Sequence, residues 1–320
     1  MKRMLKVVAV AMMLMLPGTI MAQKKVVKEV KKIVKSDNFD VNTYHKAQGM
    51  IRAAMTNDET KGDPETWLVA AMVELGLYGI LQVRKMMNDD NSGVKESGQA
   101  LLDAYDYMTQ ALKLDTIRMV DKAGNPLIDS KTGKQAIKTK YSEEIKGMLK
   151  AHATDYGVAA SELILAEDYT MAYRLFDIGC DQYSSARDFD VLAEMRYFQM
   201  YAAMMMKSPD GLSVLNVWEK MLDNGEYDLA IAVCDRLITT TPNSADLYLL
   251  KGNTILNKVQ NIVMDNPNST TAELVPQLRP LLEKALSVFE AGAAIEPENT
   301  WIQQNIKNVN SMLEQTGSNK

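Results

Sequence analysis

Along this 320-residue chain, small and large apolar residues recur at helical spacing, and one short phrase returns five times. It reads Ala47, Ile51, Ala54; Ala104, Met108, Ala111; Ala172, Phe176, Gly179; Ala230, Cys234, Leu237; and Ala285, Phe289, Gly292. Positions i, i+4 and i+7 share one helical face. A small residue lets a partner helix come close, and the large one between fills the gap. Pro242 and Pro297 follow the last two phrases and stop their helices.

The pattern around these phrases predicts helices throughout. Gln23 to Lys35 puts Val26, Val27, Val30, Ile33 and Val34 on one face and six lysines on the other. Further helices are predicted at Asp40 to Met55, Glu65 to Met87, Glu96 to Leu114 and Tyr141 to Ala166, with a partner opening at Asp168-Tyr169. Asp190 to Met206, Leu212 to Leu222 and a helix from Glu226 follow, and their pairing stays open between 187 and 240. Ser244 to Ile262 and Leu274 to Ile295 form a last pair, and Thr300 to Leu313 caps it. Trp67 to Ala104 and Tyr248 to Ala285 both span 37 residues, so two pairs carry the same extension of helices and turn. Residues 116–140 break the helical text. Turn signals at Asp121 to Pro126 and Asp129 to Gly133 separate short extended runs, which predicts a β-hairpin excursion.

The first 22 residues change the expected location. Lys2, Arg3 and Lys6 precede a short apolar run, Pro17-Gly18 breaks it, and Ala22 before Gln23 is a cleavage site. Ten apolar residues before a proline are too few to span a bilayer, no cysteine sits near the cut, and no later stretch reads as spanning. The expectation is a signal peptide at 1–22, helical repeats at 23–115, the excursion at 116–140 and further repeats with a capping helix at 141–320. The chain after residue 22 would be soluble, periplasmic and not lipidated.

Charge and chemistry narrow the function. The net charge is −5, and −8 without the three cations of the first 22 residues, which argues against general nucleic-acid binding. Lys24 to Lys35 offers at most weak peripheral contact with an anionic membrane. His45 and His152 are the only histidines and lie far apart, so no metal site, cofactor or catalytic residue is expected, and the chain does not read as an enzyme. A methionine cluster from Met195 to Met221 reads as helix packing before a soft-metal site. Cys180 and Cys234 read as buried thiols. Asp115-Thr116-Ile117 fits a short acceptor motif for O-linked glycans.

The small-large-small phrases with their closing prolines resemble the tetratricopeptide-repeat superfamily across nearly all of the chain after residue 22. The end of the signal at Ala22-Gln23, the lysine-rich opening helix and Asn57 to Lys61 running into Glu65-Thr66-Trp67 are similar to secreted repeat proteins of Gram-negative gut and oral-type bacteria. So is the glycine-containing excursion before a helix ending near Asp168-Tyr169. The resemblance implies an all-α superhelix of helix pairs and a periplasmic scaffold that binds a protein or peptide partner in the cell envelope. Its concave face would be lined by first helices: Glu65, Leu68 and Met72 in one repeat, and Asp246, Leu249, Asn253 and Leu256 in another. The alternative is a glycan- or small-ligand-binding accessory protein, which would need aromatic stacking from Trp67, Trp218 or Trp301.

Overall fold

A computed structural model describes residues 16–36, 40–88, 91–206 and 212–317 of the chain. The fold is all-α, with consecutive helices packed in pairs and one small two-stranded sheet. Most of the signal segment, residues 1–15, lies outside the described residues; Leu16–Val34 is helical (α1). The chain divides into two compact units, Met1–Leu175 and Phe176–Lys320.

In the first unit, α1 packs on α2 (Val41–Thr56) and α3 (Pro64–Asn88), and α3 packs along α4 (Val94–Leu114). Asp40 caps α2 by accepting hydrogen bonds from the backbone of Asn42 and Thr43. Gly76 of α3 faces the Tyr44 ring so closely that a Cβ there would collide with it. The 24 residues Pro64–Met87 are long and apolar enough to cross a membrane, contrary to the sequence reading that no later stretch is. Their apolar side chains are spent otherwise: Leu68, Val69, Ala70, Ala71, Val73 and Leu77 are all buried within the unit.

After α4 the chain leaves the helical layer. Strands β1 (Ile117–Arg118) and β2 (Ile137–Lys138) pair antiparallel, and Val120 bridges Pro126 while Ile128 bridges Gln135. Three backbone bonds close a ring: Met119 donates to Ala136, Ala136 to Leu127 and Leu127 to Met119. Asp115 clasps the root of this excursion. Its carboxylate accepts the backbone N–H groups of Lys140, Tyr141 and Ser142 and the Ser142 hydroxyl, at 2.7 to 3.0 Å. It thereby supplies, from the end of α4, the cap that α5 (Ser142–Ala151) lacks at Tyr141.

The single helix expected over Tyr141 to Ala166 is two. His152 leaves the helical conformation and its imidazole meets the Asp155 carboxylate at 2.6 Å, so a new N-terminus forms and α6 runs Ala153–Leu165. The boundary between the units falls inside α7 (Tyr169–Cys180).

In the second unit, α8 (Phe189–Met205) packs on both α9 (Leu212–Asp223) and α10 (Tyr227–Thr240). The three helices form one group, which resolves the pairing left open in the sequence. A polar knot binds α8 and α9 to Asp177 and Asp181. Arg196, 2 % exposed, bonds Asp177 at 3.1 Å and Gln199 at 2.6 Å, and Lys220 reaches Asp177 and Asp181 at 2.8 Å each. Burial raises the Asp177 pKa, but Lys220, Gln199 and Arg196 outweigh it and hold the carboxyl below its ordinary value. Then α11 (Ala245–Asp265) pairs with α12 (Thr271–Ile295), and α13 (Thr300–Gly317) covers α12. The α11–α12 pair has the predicted extension, at 21 and 25 residues, against 25 and 21 for α3 and α4. Gly252 takes the Phe289 ring against its backbone. A capping box between Thr270 and Glu273 starts α12 three residues earlier than the apolar pattern indicates. Pro276 and Pro280 sit on its exposed side, where the carbonyls they leave unbonded can reach water.

Cys180 and Cys234 are free and buried, and burial pushes both thiols up to about 12. Met195, Met200 and Met221 are buried among the helices of the second unit.

Candidate functional site

The site is built on α11. Residues 246, 249, 253, 256, 260 and 263 follow the three-to-four spacing of one helical stripe, and this stripe stays open between α9 and α13. Two adjoining hollows share it. One, of about 390 Å³, is lined by Asp246 and Leu249 with Met204, Val214 and Leu215. The other, of about 490 Å³, is lined by Asn253, Leu256, Gln260 and Val263 with Trp218 and Met312. From Asp246 to Val263 the stripe runs about 25 Å along the helix axis, the length of roughly eight extended residues.

Local packing explains why the stripe is open. The other side of α11 is committed to α12: Ile255 and Val259 are buried in the core the two helices share, and Gly252 admits Phe289. Leu249 and Leu256 are only partly buried against the same core. The amides are held in place. Asn305 of α13 donates to the Asn253 side-chain oxygen at 3.0 Å, and the Asn257 amide donates to the Asn253 backbone carbonyl at 2.9 Å. Trp218 donates its indole N–H to Thr254 at 2.7 Å, which fixes the ring as a wall of the groove. Asp246, exposed, is the one ionisable residue among the described residues that line the two hollows. Aliphatic floor, oriented amides and a single carboxylate can hold an extended chain through side-chain pockets and backbone hydrogen bonds.

All four residues singled out on this helix, Asp246, Leu249, Asn253 and Leu256, therefore line one groove. Their counterparts in the first unit do not form a comparable surface. Leu68 is 2 % exposed and packs with Ala71, Ala104, Met108, Ala111, Tyr141 and Ile145, and Met72 is half-buried against that cluster. Glu65 is ion-paired to Lys31 of α1, whose ammonium holds its carboxyl below the ordinary range. Because α1 packs on α3 and α5 closes the other end of the core, the stripe expected to be a binding face is engaged inside the unit. Asn305 and Met312 were missed, and Trp218 was considered only as an aromatic for the glycan alternative. They stand on elements far from α11 in sequence, and no local spacing marks them.

Two further features lie outside the groove. Among the described residues, no group of three or more His, Cys, Asp and Glu is placed to hold a metal ion. Glu74 of α3 is 1 % exposed with Gln48 as its hydrogen-bond partner at 2.6 Å, and burial pushes its carboxyl up to about 7.

The helix pairs and the open stripe together define an all-α protein with a tetratricopeptide-like arrangement. No protein-family model matches the chain, and no curated protein matches it. Solved structures similar to it include the TPR2AB domain–pHSP90 complex of yeast Sti1, at 13 % identity over 93 % of this chain and 99 % of that one, with a TM-score of 0.20. The C-terminal part of a TPR repeat-containing protein from Cytophaga hutchinsonii matches at 11 % identity over 88 % and 99 %, with a TM-score of 0.19. The P58(IPK) TPR domain matches at 11 % over 93 % and 100 %, with a TM-score of 0.16. At such scores these likenesses carry no argument about partner or site, and the helix pairing of this chain stands on its own packing.

Proposed function

We propose that the protein is a non-catalytic scaffold of the cell envelope that binds an extended peptide segment of another protein in the α11 groove. The observation that carries this reading is the stripe that begins with Asp246, Leu249, Asn253 and Leu256 and continues to Val263, open along about 25 Å and furnished with oriented amides. The peptide fitting it has aliphatic side chains at alternate positions and a cation near Asp246. A glycan gains less here: Trp218 is the one aromatic residue among the described residues that line the hollows, and its N–H is already bonded to Thr254.

Selection from a random peptide display library on the purified protein tests the reading. Selected peptides should share that pattern, and Asn253→Ala with Leu256→Ala should weaken them roughly tenfold or more while the melting temperature stays nearly constant. Peptides without apolar alternation, or binding indifferent to both changes, refute it. The envelope location is a separate part of the proposal and rests on the reading of residues 1–22. Cell fractionation tests it, and recovery in the cytosol with Met1 attached overturns it.

A further inference from the structure

The excursion between β1 and β2 presents a surface that neither the helical core nor the groove uses. Ile117, Val120, Ile128 and Ile137 are 52–60 % exposed, which is unusual for four aliphatic residues in 21 positions of ordered backbone. Arg118, Lys122, Lys131, Lys134, Lys138 and Lys140 surround them against only Asp121 and Asp129, a net charge of +4 on a chain whose total is −5. Both aspartates are tied to their own turns. Asp121 accepts from the backbone of Ala123 and Asn125, and Asp129 from Lys131 and Thr132. None of the cations from Arg118 to Lys138 takes part in an ion pair among the described residues.

The construction fixes how this surface is shown. The register pairs Arg118 with Ile137, Val120 with Pro126 and Ile128 with Gln135. Paired residues lie on the same side and alternate residues return to it, so Val120, Ile128 and Ile137 share one side with Arg118. The ring of backbone bonds and the Asp115 clasp hold it. At its root, Lys140 lies beside Glu65, which Lys31 of α1 also engages. The excursion thus rises next to the lysine-rich opening helix. There Val27 and Val30 are buried, while Lys24, Lys25, Lys28 and Lys32 remain exposed.

We infer that the excursion is a docking element for an anionic lipid bilayer, its aliphatic side seated at the headgroup–acyl boundary and its lysines, with those of α1, on the acidic headgroups. Charge complementarity favours a bilayer over a protein. The segment contains no Trp, Tyr or Phe and a single Arg, the residue types that anchor protein interfaces, whereas aliphatics ringed by lysine suit a diffuse anionic plane. This inference is independent of the groove.

The test is partition of the full chain onto vesicles of phosphatidylglycerol in phosphatidylcholine, against phosphatidylcholine alone. Variants differing only in the excursion cancel any contribution of the apolar N-terminal segment. Binding should require phosphatidylglycerol and fall at high salt. Lys131→Gln and Lys134→Gln should each lower partition about fivefold, the equivalent of the roughly 1 kcal/mol a basic residue contributes near an anionic leaflet. Ile128→Asn with Ile137→Asn should lower it further, with helical circular dichroism and melting unchanged, because these side chains lie outside the helical cores. Equal partition of all variants overturns the inference, as does an isoleucine pair without effect. Retention on an immobilised polyglutamate peptide combined with no vesicle binding overturns it as well, in favour of an acidic protein partner.

Discussion

Glu74 makes a pH-dependent claim that can be measured. Its carboxyl lies inside the first unit, 1 % exposed, and is pushed from 4.5 up to about 7. The largest cause is loss of water. The Asp103 charge adds to it, while the Gln48 hydrogen bond and the charges of Arg52 and His45 only partly oppose it. The folded state therefore holds this proton more tightly than the unfolded chain. Below about pH 4.5 the group is protonated in both states and costs nothing. As pH rises through the interval to about 7, stability falls, and above it the loss levels off. The difference between 4.5 and about 7 corresponds to about 3 kcal/mol. Glu74→Gln keeps the shape and an acceptor for Gln48 and removes the titrating charge. Urea unfolding of the parent and the variant should give matching stabilities near pH 4. The curves should then diverge until the variant is about 3 kcal/mol more stable at alkaline pH, a rise in melting temperature on the order of 10 °C for the first unit. A difference independent of pH, or a variant less stable at high pH, would falsify the argument, because Glu74 would then be charged and stabilised by Arg52.

Asp115→Ala removes an acceptor shared by three backbone N–H groups and a hydroxyl, and should cost about 2–4 kcal/mol and the hydrogen-exchange protection of Tyr141 and Ser142. Burial raises the Asp115 pKa, but the hydrogen bonds of Lys140, Tyr141 and Ser142 win and hold it below 3.8; this contribution is present above 3.8 and is lost as pH falls through the folded value. Gly252→Ala should destabilise the second unit by about 1–3 kcal/mol in denaturant titration, since its Cβ meets the Phe289 ring, and Phe289→Leu in the same chain should recover part of the loss. Arg196→Ala should cost about 3–5 kcal/mol by leaving Lys220 as the one cation on Asp177 and Asp181 among the described residues, while Arg196→Met should cost less. Full stability of Arg196→Ala would mean that water enters to serve both carboxylates.

Helix pairs were legible because their code is local. Ala285, Phe289 and Gly292 state a packing face within eight residues, and the structure meets it with Phe289 seated on Gly252. The excursion was legible for the same reason, since its turns are written in Asp, Gly and Pro. What escaped the sequence depends on partners far along the chain. His152 looks like any helical residue until its imidazole meets the Asp155 carboxylate at the point where one helix ends and the next begins. The packing of α8 on both α9 and α10 accompanies a buried arginine whose carboxylate partners lie 19 and 15 residues before it. In the same way, Asp115 looks like part of a tripeptide acceptor motif, whereas its carboxylate is consumed in capping a helix that begins 27 residues later.

The binding stripe shows where local reading stops being sufficient. Glu65, Leu68 and Met72 occupy the same kind of helix positions as Asp246, Leu249, Asn253 and Leu256, so spacing alone cannot separate them. The difference lies in what covers them. The first stripe meets the opening helix through Lys31 and the α5 core through Tyr141 and Ile145; the second stripe lies between α9 and α13, which flank it without closing over it. Neighbouring helices, rather than the stripe's own residues, decide whether such a face becomes core or groove. An apolar residue at the same kind of helix position can thus be worth a few kcal/mol of folding in one unit and be free to meet a ligand in the other. This predicts opposite responses to the same change. Leu68→Ala should lower the stability of the first unit by about 2–5 kcal/mol, as a buried leucine does, whereas Leu256→Ala should act mainly on peptide binding. Comparable unfolding losses for both would mean that the α11 stripe is core as well, and the groove reading would fail.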